Sequence, residues 1–262
     1  MLFGSGPESF KRNGTHIREK YYYSLFKKNQ LLPKLIEYPI NRKEHKGLLK
    51  FVQIIFQLLN SISHPIFDNK KFRDFDLIRC KQIYGAWSGL ILKIVKKRKL
   101  IIRVGYSWSQ SILYESGSKS LKFKISKIFE QFILKNSDGI IVTSKYLFKK
   151  YKYLKKEIVV IPNGVNIENF KDLDIKTKYD YIYVGRLIHI KGIDRILDFV
   201  LSNKNKSFLI IGSNPNNINI NKFGNIHYIE KVANDQLPIL MNKSRRIINL
   251  SRSEGSPKAL IE

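Results

Sequence analysis

Residues 179–201 read YDYIYVGRLIHIKGIDRILDFVL. Tyr179 to Val184 is short, aromatic and largely apolar on both faces, which suits a strand covered on both sides. Gly185 lets the backbone turn tightly where that strand ends. A brief polar loop follows, and Gly192 to Leu201 reads as a helix. The same unit recurs outward in both directions. Towards the C-terminus come the strands Phe208–Ile211, Ile226–Ile229 and Arg246–Leu250, with a short helix over Asp235–Asn242. Towards the N-terminus come Ile158–Ile161, Gly139–Thr143, Leu100–Val104 and a strand at Phe75–Ile78. Between them lie helices at Ser144–Tyr153, Leu121–Lys135, Gly85–Lys97 and Thr15–Lys28. On Leu121–Lys135 the apolar residues Phe123, Ile125, Ile128, Phe129, Phe132 and Ile133 are expected to face the core. Strands alternating with helices predict an α/β protein with parallel sheets covered on both faces.

The alternation pauses at 166–178, which is polar and irregular. It therefore predicts two Rossmann-like domains, 1–165 and 179–262, joined by a linker over 166–178. The sequence ends inside a helix expected to start near Pro257, so the second domain reads as incomplete.

Bulk properties narrow the setting. Hydrophobic residues make up 43% of 262, enough for packed cores and too many for a disordered chain. One cysteine, Cys80, permits no intrachain disulfide and reads as a buried core residue in a reducing compartment. A cytoplasmic setting is the simplest reading, with peripheral attachment to the inner face of a membrane left open. Forty-eight Lys and Arg against 21 Asp and Glu give a net charge of +27. Such a chain is drawn to anions: nucleic acid, an acidic membrane or phosphorylated substrates. An AT-rich coding sequence would give the same Lys-, Ile-, Asn-, Phe- and Tyr-rich mix without selection for binding. The basic residues are spread along the chain, and no zinc-finger, RNA-binding aromatic or basic-zipper pattern accompanies them, so no nucleic-acid partner is expected. The apolar stretch Gly47–Leu59 is too short and too interrupted to span a bilayer. With the basic run Lys96-Lys97-Arg98-Lys99, it is a candidate for an anionic membrane surface.

Three segments carry the functional signal: Ile161–Phe170 (IPNGVNIENF), Val184–Gly192 (VGRLIHIKG) and Ser251–Glu262 (SRSEGSPKALIE). Their order and spacing resemble family 4 retaining glycosyltransferases of the GT-B fold, whose members show an IPNGVD-like turn, a VGRL…KG strand-loop and an E-x7-E motif. The resemblance is clearest from about residue 135 onward. It implies a nucleotide-sugar donor, UDP- or GDP-linked, and a glycan or lipid-linked acceptor. It places the acceptor with the N-terminal domain and the donor with the C-terminal one.

The residues fit that chemistry. Arg186 and Lys191 flank a strand-to-helix loop and can close on a diphosphate from two sides with charge-assisted bonds. Open α/β sheets place ligands at this carboxyl edge. Gly255 and Ser256 precede Pro257, which suits the first helical position, where free backbone N–H groups favour a phosphate. Glu254 and Glu262 would stand on either side, some 7.5 Å of helix rise separating Pro257 from Glu262. Glu254 would accept from sugar hydroxyls and Glu262 from the ribose. Asn13-Gly14-Thr15 is a turn and helix-cap signal, and Gly14 loosely matches the family's glycine loop near the donor. Many family members carry a histidine near the end of the strand that runs into Arg103–Ser109; here Tyr106, Ser107 and Trp108 stand instead, with Trp108 read as a core residue or a sugar-stacking platform. No ligand spacing for a metal is seen and no Asp-x-Asp triplet, so no cofactor is expected. The candidate catalytic set is Arg186, Lys191 and Glu254; Gly14, Gly185, Gly255, Ser256 and Glu262 join Arg186 and Lys191 in donor binding. Two alternatives are an inactive truncated remnant of such an enzyme and a basic nucleic-acid-binding protein.

Overall fold

The computed structural model describes residues 2–5, 28–30, 35–38, 63, 75–83, 86–165 and 167–262. Gly14, the helix expected over Thr15–Lys28 (but for its last residue) and the stretch Gly47–Leu59 lie outside them. The chain divides into two compact units, one of 1–108 with 125–161 and one of 109–124 with 162–262.

The first unit holds a six-stranded sheet of β1 (Leu2–Ser5), β2 (Leu35–Tyr38), β3 (Leu77–Cys80), β4 (Lys99–Val104), β5 (Gly139–Val142) and β6 (Ile158–Val160), in the order β2-β1-β3-β4-β5-β6. Every pairing is parallel. Ile78, Leu100, Ile102, Val104, Ile140 and Val142 are fully buried or nearly so, as two-sided strands must be. Helices α1 (Ala86–Lys96), α3 (Leu121–Asn136) and α4 (Lys145–Tyr151) belong to this half of the chain. Ser144 caps α4, its side chain accepting from the Leu147 N–H. Cys80 is buried, and desolvation pushes its thiol up to about 12, so it stays protonated core.

The second unit holds β7 (Tyr179–Val184), β8 (Phe208–Ile211), β9 (Ile226–Ile229) and β10 (Ser244–Ile247), again all parallel, in the order β10-β7-β8-β9. Helices α2 (Trp108–Ser116), α5 (Ile193–Ser202) and α6 (Leu237–Asn242) fall largely in this half. Strand β7 is central: Tyr181 pairs with Phe208 on one side and Arg246 on the other. Phe208, Tyr181 and Phe199 form an aromatic cluster, with Phe208 stacked on Tyr181 at 5.3 Å and edge-on to Phe199 at 6.0 Å. Residues 171–178 form no helix or strand and are held by Asn242, whose side chain accepts from the Leu173 N–H and donates to the Lys171 carbonyl.

Several expectations change. The strand expected at Phe75–Ile78 lies two residues later, at Leu77–Cys80. The apolar face of α3 is not the one read from its pattern: Ile125, Ile128 and Phe132 are exposed and Phe123 and Phe129 half-buried, while Ser126, Glu130, Ile133 and Leu134 are buried. The helix carries apolar residues around most of its circumference, so period alone cannot choose the inner arc. A satisfied polar network chooses it: Glu130 accepts from the Ser107 hydroxyl at 3.1 Å and from the Tyr151 hydroxyl at 2.7 Å. The helix expected from Pro257 is a single 3-10 turn over Lys258–Leu260, because one turn of helix costs more to nucleate than its few bonds return. Helix α2 was not foreseen; its residues WSQSILYES show no apolar period to reveal it.

Phe208→Ala should cost about 3–5 kcal/mol, since the ring is buried and contacts two others. Urea denaturation checks this.

Candidate functional site

Three loops follow the carboxyl ends of β7, β8 and β10, and all lie within the second unit. They are packed backbone to backbone, and two glycines make that possible. Gly212, after β8, has φ +147°, and a Cβ there would stand 1.9 Å from the Gly185 carbonyl oxygen. Gly192, at the start of α5, has φ +72°, and its Cβ would meet the Leu250 carbonyl oxygen at 2.1 Å. Neither contact tolerates a side chain. Hydrogen bonds close the same seams: Leu187 N–H donates to the Ser213 carbonyl and Arg252 N–H to the Ile190 carbonyl, each at 2.9 Å.

Side chains add to this frame. The Tyr183 hydroxyl donates to the Arg186 carbonyl at 2.9 Å, fixing the first bend after β7. The Arg252 guanidinium lies fork-to-fork on the Asp194 carboxylate, at 2.6 Å through Nη1 and 2.5 Å through Nη2, and Nη1 also donates to the His189 carbonyl. Asp194 is held down at about 2 against an ordinary 3.8, first by these hydrogen bonds; burial works in the opposite sense. Farther along, the Asn163 side chain donates to the Ser256 carbonyl at 2.9 Å. The IPNG turn thereby touches the segment Glu254-Gly255-Ser256.

Lys191 and Glu254 form an ion pair, and the Ser251 hydroxyl donates to the same Glu254 oxygen at 2.9 Å. Both side chains are about three-quarters buried. The phenol of Tyr183 is pushed up by burial first and by the charge of Glu254 second, while Arg186 pulls the other way. Arg186, Lys191 and Glu254 thus act on one small region at the carboxyl edge of β7. Arg186 is the exposed member of the three. Gly185 lies over the Tyr183 ring, where a Cβ would come within 2.8 Å of its hydroxyl.

Glu262 belongs to a different group. It pairs with Lys258 and lines a groove of about 890 Å³ with Phe170, Leu173, Met241 and Arg245. No hydrogen bond or ion pair among the described residues joins it to Lys191 or Glu254. In the first unit, Ser107 is buried on Glu130, and Trp108 packs edge-on against Phe129 at 5.9 Å beside the core. Among the described residues no three of His, Cys, Asp and Glu gather as metal ligands. The sequence missed the Asp194–Arg252 and Asn163–Ser256 contacts. Their partners lie 58 and 93 positions apart, and no local pattern announces such pairs.

Neither a protein-family model nor a curated protein sequence matches the chain. Solved structures do. Sucrose-phosphate synthase of Thermosynechococcus elongatus is similar with a TM-score of 0.72 at 14% identity, over 99% of this chain and 77% of that one. The lipopolysaccharide outer core galactosyltransferase WaaB aligns at 0.67 and 13%, over 99% and 76%. Anabaena HepE, in a complex with UDP and glucose, aligns at 0.62 and 14%, over 100% and 77%. At such identities the likeness is one of fold. The chain has the GT-B fold, built from Rossmann-like α/β domains with parallel sheets.

A depressed carboxyl lends stability above its unfolded value and withdraws it as pH falls through its folded value. The Asp194 contribution should be complete above about pH 4 and fade towards pH 2. Asp194→Asn should therefore lower stability at pH 7, on the order of 1 kcal/mol after solvent screening. The two proteins should converge near pH 2, measured by denaturation at each pH.

Proposed function

We propose that this chain is a glycosyltransferase that moves a sugar from a UDP- or GDP-sugar to a hydroxyl of a glycan or lipid-linked acceptor. The second domain, 179–262, would hold the donor, and the first, 1–165, the acceptor. The observation that carries this reading is the gathering of Arg186, Lys191 and Glu254 on glycine-tightened loops at the carboxyl edge of β7. Fold neighbours add support: HepE has been solved in complex with UDP, with UDP and glucose, and with UDP-glucose, and TarM in a complex that contains UDP.

The ion pair suggests how the donor enters. A diphosphate would draw Lys191 from Glu254, and the released carboxylate would accept hydroxyls of the donor sugar. Arg186 would approach the diphosphate from the solvent side. Backbone N–H groups at Gly255 and Ser256 would complete the cradle. As the glycosidic bond breaks, negative charge grows on the leaving diphosphate, and two cations already in place stabilise it. They supply what a metal supplies in other transferases, so the reaction is proposed to be metal-independent. Retention at the anomeric carbon is part of the proposal and rests on the sequence resemblance. Glu262 is proposed for the ribose hydroxyls, which requires it to leave Lys258. Gly14 is proposed to approach the donor phosphates.

Lys191→Ala should cost on the order of 10- to 100-fold in kcat/KM, corresponding to a charge-assisted bond of roughly 1.5–3 kcal/mol. The loss should fall more on kcat than on donor affinity, because the charge peaks in the transition state. Arg186→Lys should restore only part of the activity of the arginine, since a point charge cannot replace a planar fork. Lys204→Ala is the control for general loss of positive charge. Titration calorimetry with UDP and with GDP reads donor binding separately. Near-wild-type turnover in both Lys191→Ala and Arg186→Ala would place the diphosphate elsewhere. Unchanged UDP affinity in Glu262→Gln would remove that residue from the site.

A further inference from the structure

Helix α3 turns an apolar stripe to solvent. Leu121, Ile125, Ile128 and Phe132 are 70%, 56%, 68% and 53% exposed. At about 100° per residue they fall within an arc of about 60°. The buried Ser126, Glu130, Ile133 and Leu134 occupy the opposite side of the same helix. Among the described residues the stripe is therefore directed away from the core. Its flanks are basic: Lys122, Lys124, Lys127 and Lys135 are all exposed. The only acidic residue of α3, Glu130, is buried between Ser107 and Tyr151 and offers nothing to the surface.

Helix α1 meets the end of α3: the Lys93 ammonium donates to the Asn136 carbonyl and pairs with the Asp138 carboxylate, each at 2.8 Å, so its own charge is balanced. Just past Lys93 come the exposed Ile94 and Val95 and then the run Lys96-Lys97-Arg98-Lys99. Apolar and basic side chains are thus interleaved at both helix ends.

We propose that the outer face of α3 docks in the plane of an anionic bilayer, with the stripe entering the acyl boundary and the lysines on the headgroups. A helix with an apolar strip edged by lysines suits that interface. The main competitor is a second copy of this chain, because i, i+4, i+7, i+11 spacing also suits a helix–helix seam. Charge decides between them. Two such faces would bring like charges together in a chain of net charge +27, whereas an anionic leaflet attracts every lysine in the set. The inference is independent of the sugar-transfer reading, and its test contains no nucleotide.

The test is sedimentation of the full chain with phosphatidylcholine vesicles, with and without phosphatidylglycerol. Binding should require the anionic lipid and weaken at about 0.5 M salt. The triple variant Ile125→Gln, Ile128→Gln, Phe132→Gln should lose at least about tenfold in vesicle affinity. Its melting temperature should stay unchanged, because the positions are exposed. Lys122→Gln with Lys124→Gln should lose about fivefold per residue at low salt. Equal binding to neutral vesicles, or wild-type affinity in the triple variant, would overturn the proposal. So would a concentration-dependent dimer that the triple variant abolishes without any vesicle binding by the wild type.

Discussion

Arg252 lies on Asp194 with two parallel hydrogen bonds, and the candidate site depends on that contact. Asp194 belongs to the first turn of α5, so it reports where the helix after β7 begins. Arg252 belongs to the loop after β10, two residues before Glu254. The pair therefore sets the distance between the Lys191 side of the site and the Glu254 side. The backbone reinforces it, with the Arg252 N–H on the Ile190 carbonyl and Gly192 pressed under Leu250. Loops seldom hold a fixed geometry unaided. These borrow theirs from the parallel sheet beneath, whose strands end side by side.

The strand alternation was readable because three of the four strands of the second unit are compact runs rich in apolar and aromatic residues. Tyr179–Val184, Phe208–Ile211 and Ile226–Ile229 occur within the bounds that their composition predicts. Strand β10 lies earlier than expected, at Ser244–Ile247, because hydrogen bonding to β7 sets its limits and residue type does not. That Arg186 and Lys191 flank the loop between β7 and α5 was also readable, from the glycines beside them; the roles proposed for them and for Glu254 rest on the motifs. What the sequence could not convey was contact between distant segments. Nothing near Asn163 announces Ser256, and nothing near Asp194 announces Arg252. Such pairs exist only once the strands have been laid in order.

Helix α3 teaches a related lesson about burial. Hydrophobic pattern favoured the arc that carries Ile125, Ile128 and Phe132, yet the core took the arc with Ser126 and Glu130. A carboxyl group is costly to bury, but accepting hydrogen bonds from two hydroxyls offsets much of that cost. Tyr151 contributes a large buried ring along with its hydroxyl, and burial together with the nearby Glu130 charge raises its phenol. The network thus fixes α3 against the loop after β4 and against α4 at once. The displaced apolar residues are left outside.

The central position of β7 has a consequence for biogenesis. A ribosome delivers this strand before either neighbour, and it delivers β10 last of the four. At ordinary elongation rates the interval between β7 and β10 is several seconds. During that time one edge of β7, a strand rich in tyrosine, has no native neighbour to bond with. The nascent chain is then most exposed to pairing with the wrong strand, and its fate in the cell turns on whether chaperones shield that edge until β10 emerges.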